Sequence, residues 1–126
     1  MSTIFLGIDV GGSGIKSALV DVSDGSLVTE RLRVDTPQPA TPRAVTEALA
    51  AMVAGYDYEG RVGVGFPAVI RDGVAGTANN IDRSWIGENA RDLFAGATGK
   101  EVTVINDADA AALGEAAFGA AEGVSG

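Results

Sequence analysis

Apolar residues along the chain fall in short runs separated by glycine, proline and small polar residues. The run from Ile4 to Ile8 stops at the carboxylate of Asp9, and a second begins at Ile15 after Gly11, Gly12, Ser13 and Gly14. Short apolar runs around a glycine-rich break predict two buried strands joined by a tight turn. Ile15 to Val22 is partly β-branched and carries no helical start signal, so the expectation is strand–turn–strand. Asp24-Gly25 is the next turn signal, and Ser26 to Val34 reads as a third strand that completes an antiparallel meander.

Thr36 to Pro42 is a loop, because each of its prolines disfavours helix in the residue before it. Thr41 is an N-cap with Pro42 at the first helical position. Val45, Ala48, Leu49, Met52 and Val53 then repeat at helical spacing until Gly55 stops the helix. Beyond a connector at 56–60, Arg61 to Phe66 is a buried strand ending at Pro67, and 68–77 is a small hairpin turning at Asp72-Gly73. Asn79 to Trp85 is polar and turn-prone. Asn89 to Ala97 is a short helix with Leu93 and Phe94 inward, closed by Gly96 and Gly99. Glu101 to Ile105 is a strand, and a last helix runs from about Ala108 to Ala121 with Ala110, Leu113, Ala117, Phe118 and Ala121 on one face, where Gly114 and the alanines allow close approach. Three strands first, then strands alternating with helices, predict an α/β domain: a mixed sheet starting as an antiparallel meander, with helices on its faces.

The totals bound what such a domain does. The 126 residues suit one domain with a real core, 46% are hydrophobic, and no apolar run reaches membrane-spanning length. The N-terminus lacks a secretory signal pattern. Cysteine and histidine are both absent, which excludes a disulfide framework and argues against a zinc site. These absences suit a cytoplasmic protein. A net charge of −8, from 17 acidic and 9 basic residues, argues against a nucleic-acid surface. Any anion site must then rely on backbone N–H groups, helix N-termini and a metal ion.

Candidate chemistry lies at the strand ends. The turn Gly11, Gly12, Ser13, Gly14 can present successive N–H groups to phosphate oxygens, while Asp9 can hold Mg²⁺ and Lys16 can offset phosphate charge. It is not a Walker A loop, since Ile15 separates Gly14 from Lys16, and Ser17 breaks the dinucleotide fingerprint. A glycine hairpin with no ligand is the plainer alternative. Gly65, Phe66 and Pro67 fall at or just after the end of the fourth strand, and Asn106 and Asp107 just after the last. Asn and Asp are ordinary caps at a strand-to-helix junction, and Asn80 is an ordinary turn residue. Ligands nevertheless gather at strand C-termini in α/β sheets. An Asp there can accept the proton of an attacking hydroxyl, and carboxamides such as Asn80 and Asn106 suit vicinal sugar hydroxyls.

The motifs Asp9 to Lys16, Gly65 to Pro67, Asn79 to Ile81 and Asn106 to Glu115, in this order over essentially the whole chain, resemble the ROK family of sugar kinases. Within it, Gly11 to Lys16, Ile81 to Gly87 and the Asn-Asp-Ala-Asp run from Asn106 are similar to bacterial polyphosphate glucokinases. The resemblance implies the actin-like, ribonuclease H-type fold, with the active site between two domains. It implies Asp107 as the base on the sugar 6-hydroxyl, and Asn80, Asn106 and Gly65 to Pro67 lining a glucose site. Asp9, the Gly11 to Gly14 turn and Lys16 would then meet Mg²⁺ and the transferred phosphoryl group. The donor implied is polyphosphate, ATP or both, and the full-length assembly a homodimer, with neither nucleic acid nor membrane as partner. The chain stops where the family's second domain would begin, so residues 1–126 are expected to be an N-terminal domain, nearly inactive alone. Another hexose, such as mannose or an N-acetyl sugar, is an alternative acceptor. A ROK-type transcriptional regulator is a further alternative, but those carry a DNA-binding helical segment before the glycine motif. An acetate kinase-like enzyme or a structural ATPase fits the Asn106-Asp107 pair less well than a sugar kinase.

Overall fold

The computed structural model describes residues 3–66, 70–71, 74–75, 83–106, 116–117 and 120–121. β1 (Ile4–Val10) and β2 (Gly14–Asp21) form the expected hairpin, with Asp9 opposite Lys16 and Val10 opposite Ile15. Alternation sends Leu6, Ile8, Val10 and Ile15 to one face, where all are buried.

The single third strand expected over 26–34 is instead two pieces, β3 (Ser26–Leu27) and β4 (Leu32–Asp35), both antiparallel to β2. Three steps along β2, from Val20 to Ser17, face five steps on the returning strand, from Leu27 to Leu32. The interruption has a local cause. The Val28 N–H still donates to the Leu19 carbonyl, but the Leu19 N–H donates to the Thr29 hydroxyl, so a side chain takes the place of the next backbone acceptor.

Helix α1 (Pro42–Ala54) starts as its sequence demands: the Thr41 hydroxyl accepts from the Ala44 N–H at 3.3 Å, and Pro42 occupies the first position. At its end the Gly55 N–H donates to the Met52 carbonyl. Its stripe of Val45, Leu49, Met52 and Val53 is buried against the sheet face carrying Leu6 and Ile8. The chain then enters β5 (Val62–Phe66), which lies parallel to β1 with Asp9 beside Gly65. A separate small hairpin follows, β6 (Ile70–Arg71) with β7 (Val74–Ala75), and its turn residues Asp72 and Gly73 lie outside the described residues.

Helix α2 (Ala90–Thr98) is capped by the Asn89 side chain, which accepts from the Asp92 N–H at 3.0 Å. Gly99, in the left-handed conformation at φ 71°, closes it, whereas Gly96 sits inside the helix and terminates nothing. β8 (Val102–Asn106) completes the sheet parallel to β5, giving the order β3-β2-β1-β5-β8 with β4 also on β2.

The expectation for 79–85 missed an element of the core. Trp85 ends a 3₁₀ turn, Arg83–Trp85, and is fully buried. Its ring centroid lies 4.6 Å from that of Phe66 and 5.8 Å from that of Phe94, and its indole N–H donates to the Ala40 carbonyl at 2.9 Å. On the opposite face of β5 stands Gly63. Residues 116–117 and 120–121 are helical, and a Cβ on Gly63 would overlap the Ala116 carbonyl. Helix backbone thus lies directly on the strand, with Ala116, Ala117 and Ala120 buried.

Candidate active site at the strand tips

Parallel pairing fixes where the strand ends fall. Asp9, Gly65 and Ile105 share one row across β1, β5 and β8, and Phe66 pairs with Asn106 in the next. The Gly11–Gly14 turn leaves β1 at this same edge. Residues from the first, middle and last parts of the chain therefore meet on one rim. Lys16 stands directly opposite Asp9, so the two charges share the sheet face that bears Gly63 and Gly65.

The turn is held by its carbonyls. The Thr36 hydroxyl donates to the Gly11 carbonyl at 2.6 Å, and the Gln38 side-chain amide donates to that of Gly12 at 2.9 Å. Ser13 offers its carbonyl to the Thr36 N–H at 3.2 Å and to the Arg33 guanidinium at 3.1 Å, and the Gly11 N–H closes the turn on the Gly14 carbonyl at 2.9 Å. With the oxygens so directed, the N–H groups of Gly12 and Ser13 donate to no backbone carbonyl among the described residues. Thr36 is buried, so its hydroxyl is a fixed strut.

Arg33, Thr36 and Gln38 escaped the sequence reading, which saw only a strand end and a proline-rich loop. Their partners are 20 to 26 positions away, and no local pattern announces them. Of the residues singled out from sequence, Asp9, Gly11, Gly12, Ser13, Gly14, Lys16, Gly65 and the backbone of Asn106 lie at the rim. The Phe66 ring packs in the aromatic core, so what Phe66 offers the rim is main chain. Pro67, Asn80 and Asp107 lie outside the described residues. Among the described residues no cluster of three metal-ligating side chains occurs.

A glycine-turn hairpin continued by parallel strands, with its turn and their C-terminal tips on one edge, makes this an α/β domain, and its structural neighbours have the actin-like fold. The ROK family model matches residues 5–126, and the chain belongs to that family. It is 52% identical over 115 residues to a polyphosphate glucokinase of Mycobacterium tuberculosis, a match covering 90% of this chain and 43% of the relative. Over 128 residues it is 36% identical to a glucokinase of Streptomyces coelicolor, covering 94% of this chain and 37% of the relative. Among solved structures it superposes on the inorganic polyphosphate/ATP-glucomannokinase of an Arthrobacter strain with a TM-score of 0.82 at 46% identity, covering 99% of this chain and 52% of that one. A ROK family glucokinase of Streptomyces griseus, in complex with glucose and AMPPNP, matches with a TM-score of 0.72 at 36% identity, covering 95% of this chain and 38% of that one. The chain thus spans about half, or less, of the length of these relatives.

Proposed function

We propose that the chain is the N-terminal domain of a glucokinase that transfers a phosphoryl group from polyphosphate or ATP to the 6-hydroxyl of glucose. The observation that carries this reading is the shared rim: the glycine turn, Asp9 and Gly65 stand beside Asn106, and Asp107 is the next residue in sequence. The names of the relatives support the same chemistry. Asn106 and Asn80 hold sugar hydroxyls, and Asp107 accepts the 6-hydroxyl proton as that oxygen bonds to the terminal phosphorus of the donor. The bond from phosphorus to the bridging oxygen breaks, and the products are the sugar 6-phosphate and a donor one phosphate shorter.

Mg²⁺ fits the residues present. It is commonly held by one or two carboxylates with phosphate oxygens and water completing its shell, and Asp9 offers one carboxylate next to the turn. When bound, it neutralises charge on the phosphoryl oxygens. Gly12 and Ser13 direct N–H groups at the same oxygens, and Lys16 adds a positive charge. The second wall of the cleft belongs to the length that the relatives have beyond this match, so residues 1–126 alone should turn over very slowly. The same reading makes the full-length enzyme a cytoplasmic homodimer, which light scattering on the purified protein checks for stoichiometry.

The test is glucose phosphorylation by the whole natural protein carrying this chain, with long-chain polyphosphate and with MgATP. Asp107→Ala should abolish turnover and keep most glucose binding, whereas near-normal turnover removes Asp107 as the base. Mannose is the second acceptor to assay, because the Arthrobacter neighbour is named a glucomannokinase.

A further inference from the structure

Two cations face each other across the strands that flank the glycine turn. Lys16 on β2 is directly opposite Arg33 on β4, a placement in which like charges ordinarily destabilise a sheet. Lys16 makes no ion pair among the described residues. Arg33 is held on one side by the Asp35 carboxylate at 2.7 Å and on the other by the Ser13 carbonyl at 3.1 Å. Its guanidinium lies flat over Gly14, where a Cβ would stand 2.6 Å from Nε. Only a residue without a side chain at 14 allows the guanidinium to reach the turn from that side.

The arrangement is thus a row, Asp9–Lys16–Arg33, running across three strands on one face beside the N–H groups of the turn. Asp35 is 89% exposed, so water already screens its hold on Arg33, and the Arg33 side chain is itself 47% exposed. A planar guanidinium with some of its donors turned to solvent suits a chain of phosphate groups better than it suits a single weakly held carboxylate.

We propose that Arg33 is a second cationic ligand of the phosphoryl donor, taking the phosphoanhydride chain next to the group that Lys16 and the turn hold. The assignment deepens the kinase reading above and rests on it. Asp35 is then a competitor that the donor displaces. In a purely structural role Arg33 braces the Ser13 carbonyl and Asp35 holds the guanidinium in place to do so, so loss of Asp35 would then raise donor KM, opposite to its effect if Asp35 competes with the donor.

The experiment compares Arg33→Met, Arg33→Lys and Asp35→Asn with the parent in the whole natural protein. KM for tripolyphosphate, long-chain polyphosphate and MgATP is measured at saturating glucose, and glucose KM at saturating donor. Arg33→Met should raise donor KM by about tenfold to a hundredfold, the range for loss of a charge-assisted hydrogen bond, with glucose KM unchanged. Arg33→Lys should recover part of that loss, and Asp35→Asn should leave donor KM equal or lower it. A larger effect with long polyphosphate than with MgATP assigns Arg33 to the extended chain, and equal effects assign it to a group the two donors share. Unchanged donor KM in Arg33→Met, or a rise in Asp35→Asn matching that of Arg33→Met, overturns the proposal. Should the parent phosphorylate no sugar with any donor, the kinase reading fails instead. Calorimetric binding of tripolyphosphate to the parent and to Arg33→Met then decides the Arg33 site on its own, with equal affinities refuting it.

Discussion

Replacing Gly63 with alanine tests how the last helix is seated, because a single methyl group meets main chain there. A Cβ at 63 would penetrate the Ala116 carbonyl and would stand 3.3 Å from the Ala117 nitrogen. Neither atom can rotate away, so either the helix backs off the sheet or β5 bends. Ala116 and Ala117 are 1% and 0% exposed, so a retreat of the helix opens a packed interface. Overpacking a core usually costs about 1–3 kcal/mol, and a backbone obstacle puts this site at about 3 kcal/mol or more. At about 3 °C per kcal/mol for a protein of this size or somewhat larger, the melting temperature should fall by roughly 10 °C. Calorimetry on the Gly63→Ala protein measures that fall directly. Because the obstacle is a carbonyl, adding Ala116→Gly should not restore the loss and should cost about a further 1 kcal/mol of helix propensity. Glucose affinity should weaken as well, since the displaced helical residues follow the β8 tip at Asn106. A Gly63→Ala protein melting within 2 °C or so of the parent would falsify the direct helix-on-strand contact.

Other outcomes follow from the same packing. Thr36→Val keeps the shape but leaves the Gly11 carbonyl without its 2.6 Å donor, which should lower kcat/KM for the donor about tenfold while Thr36→Ser stays near the parent in steady-state assays. Trp85→Ala should destabilise by about 3–5 kcal/mol in denaturant titrations, since it removes the ring between Phe66 and Phe94 and the hydrogen bond to Ala40. Hydrogen bonds from the Ser23 hydroxyl and N–H hold the Asp21 carboxyl below the usual carboxylate range, and Ser26 does the same for Asp24. A depressed folded-state pKa means that this contribution to stability is fully present above the ordinary value of about 3.9 and is lost as pH falls below it. NMR titration should show both carboxyls protonating below that value, with Ser23→Ala moving Asp21 back toward it.

Much of the architecture was legible locally. The short apolar runs either side of the Gly11–Gly14 break read as buried strands, and both faces of the hairpin are indeed covered, with Leu6, Ile8 and Ile15 buried on one side and Ala18 and Val20 on the other. Thr41 before Pro42 announces a helix start because a side-chain oxygen can serve an orphan N–H only at that position, whereas Asn89, read as the first helical residue, turns out to be the cap of its helix. The rim was legible in outline, since Asp9, Gly65 and Asn106 all close apolar runs. The break in the third strand was not, because it depends on the Thr29 hydroxyl reaching Leu19. Nor was the role of Trp85, which sits in a polar stretch and is buried only because Phe66 and Phe94 arrive from elsewhere.

By itself, then, the sequence determined the main strands and helices, the Thr41 cap and the kinds of residue at each strand end, since those follow from apolar patterning and from hydrogen bonds spanning a few positions. The tertiary structure alone decided that Lys16 faces Arg33, that Thr36 and Gln38 orient the glycine turn, and that Gly63 is the floor on which a helix rests. Each of these is a contact between segments about 17 to 53 residues apart, created by strand register and close packing. No local preference of the chain encodes them.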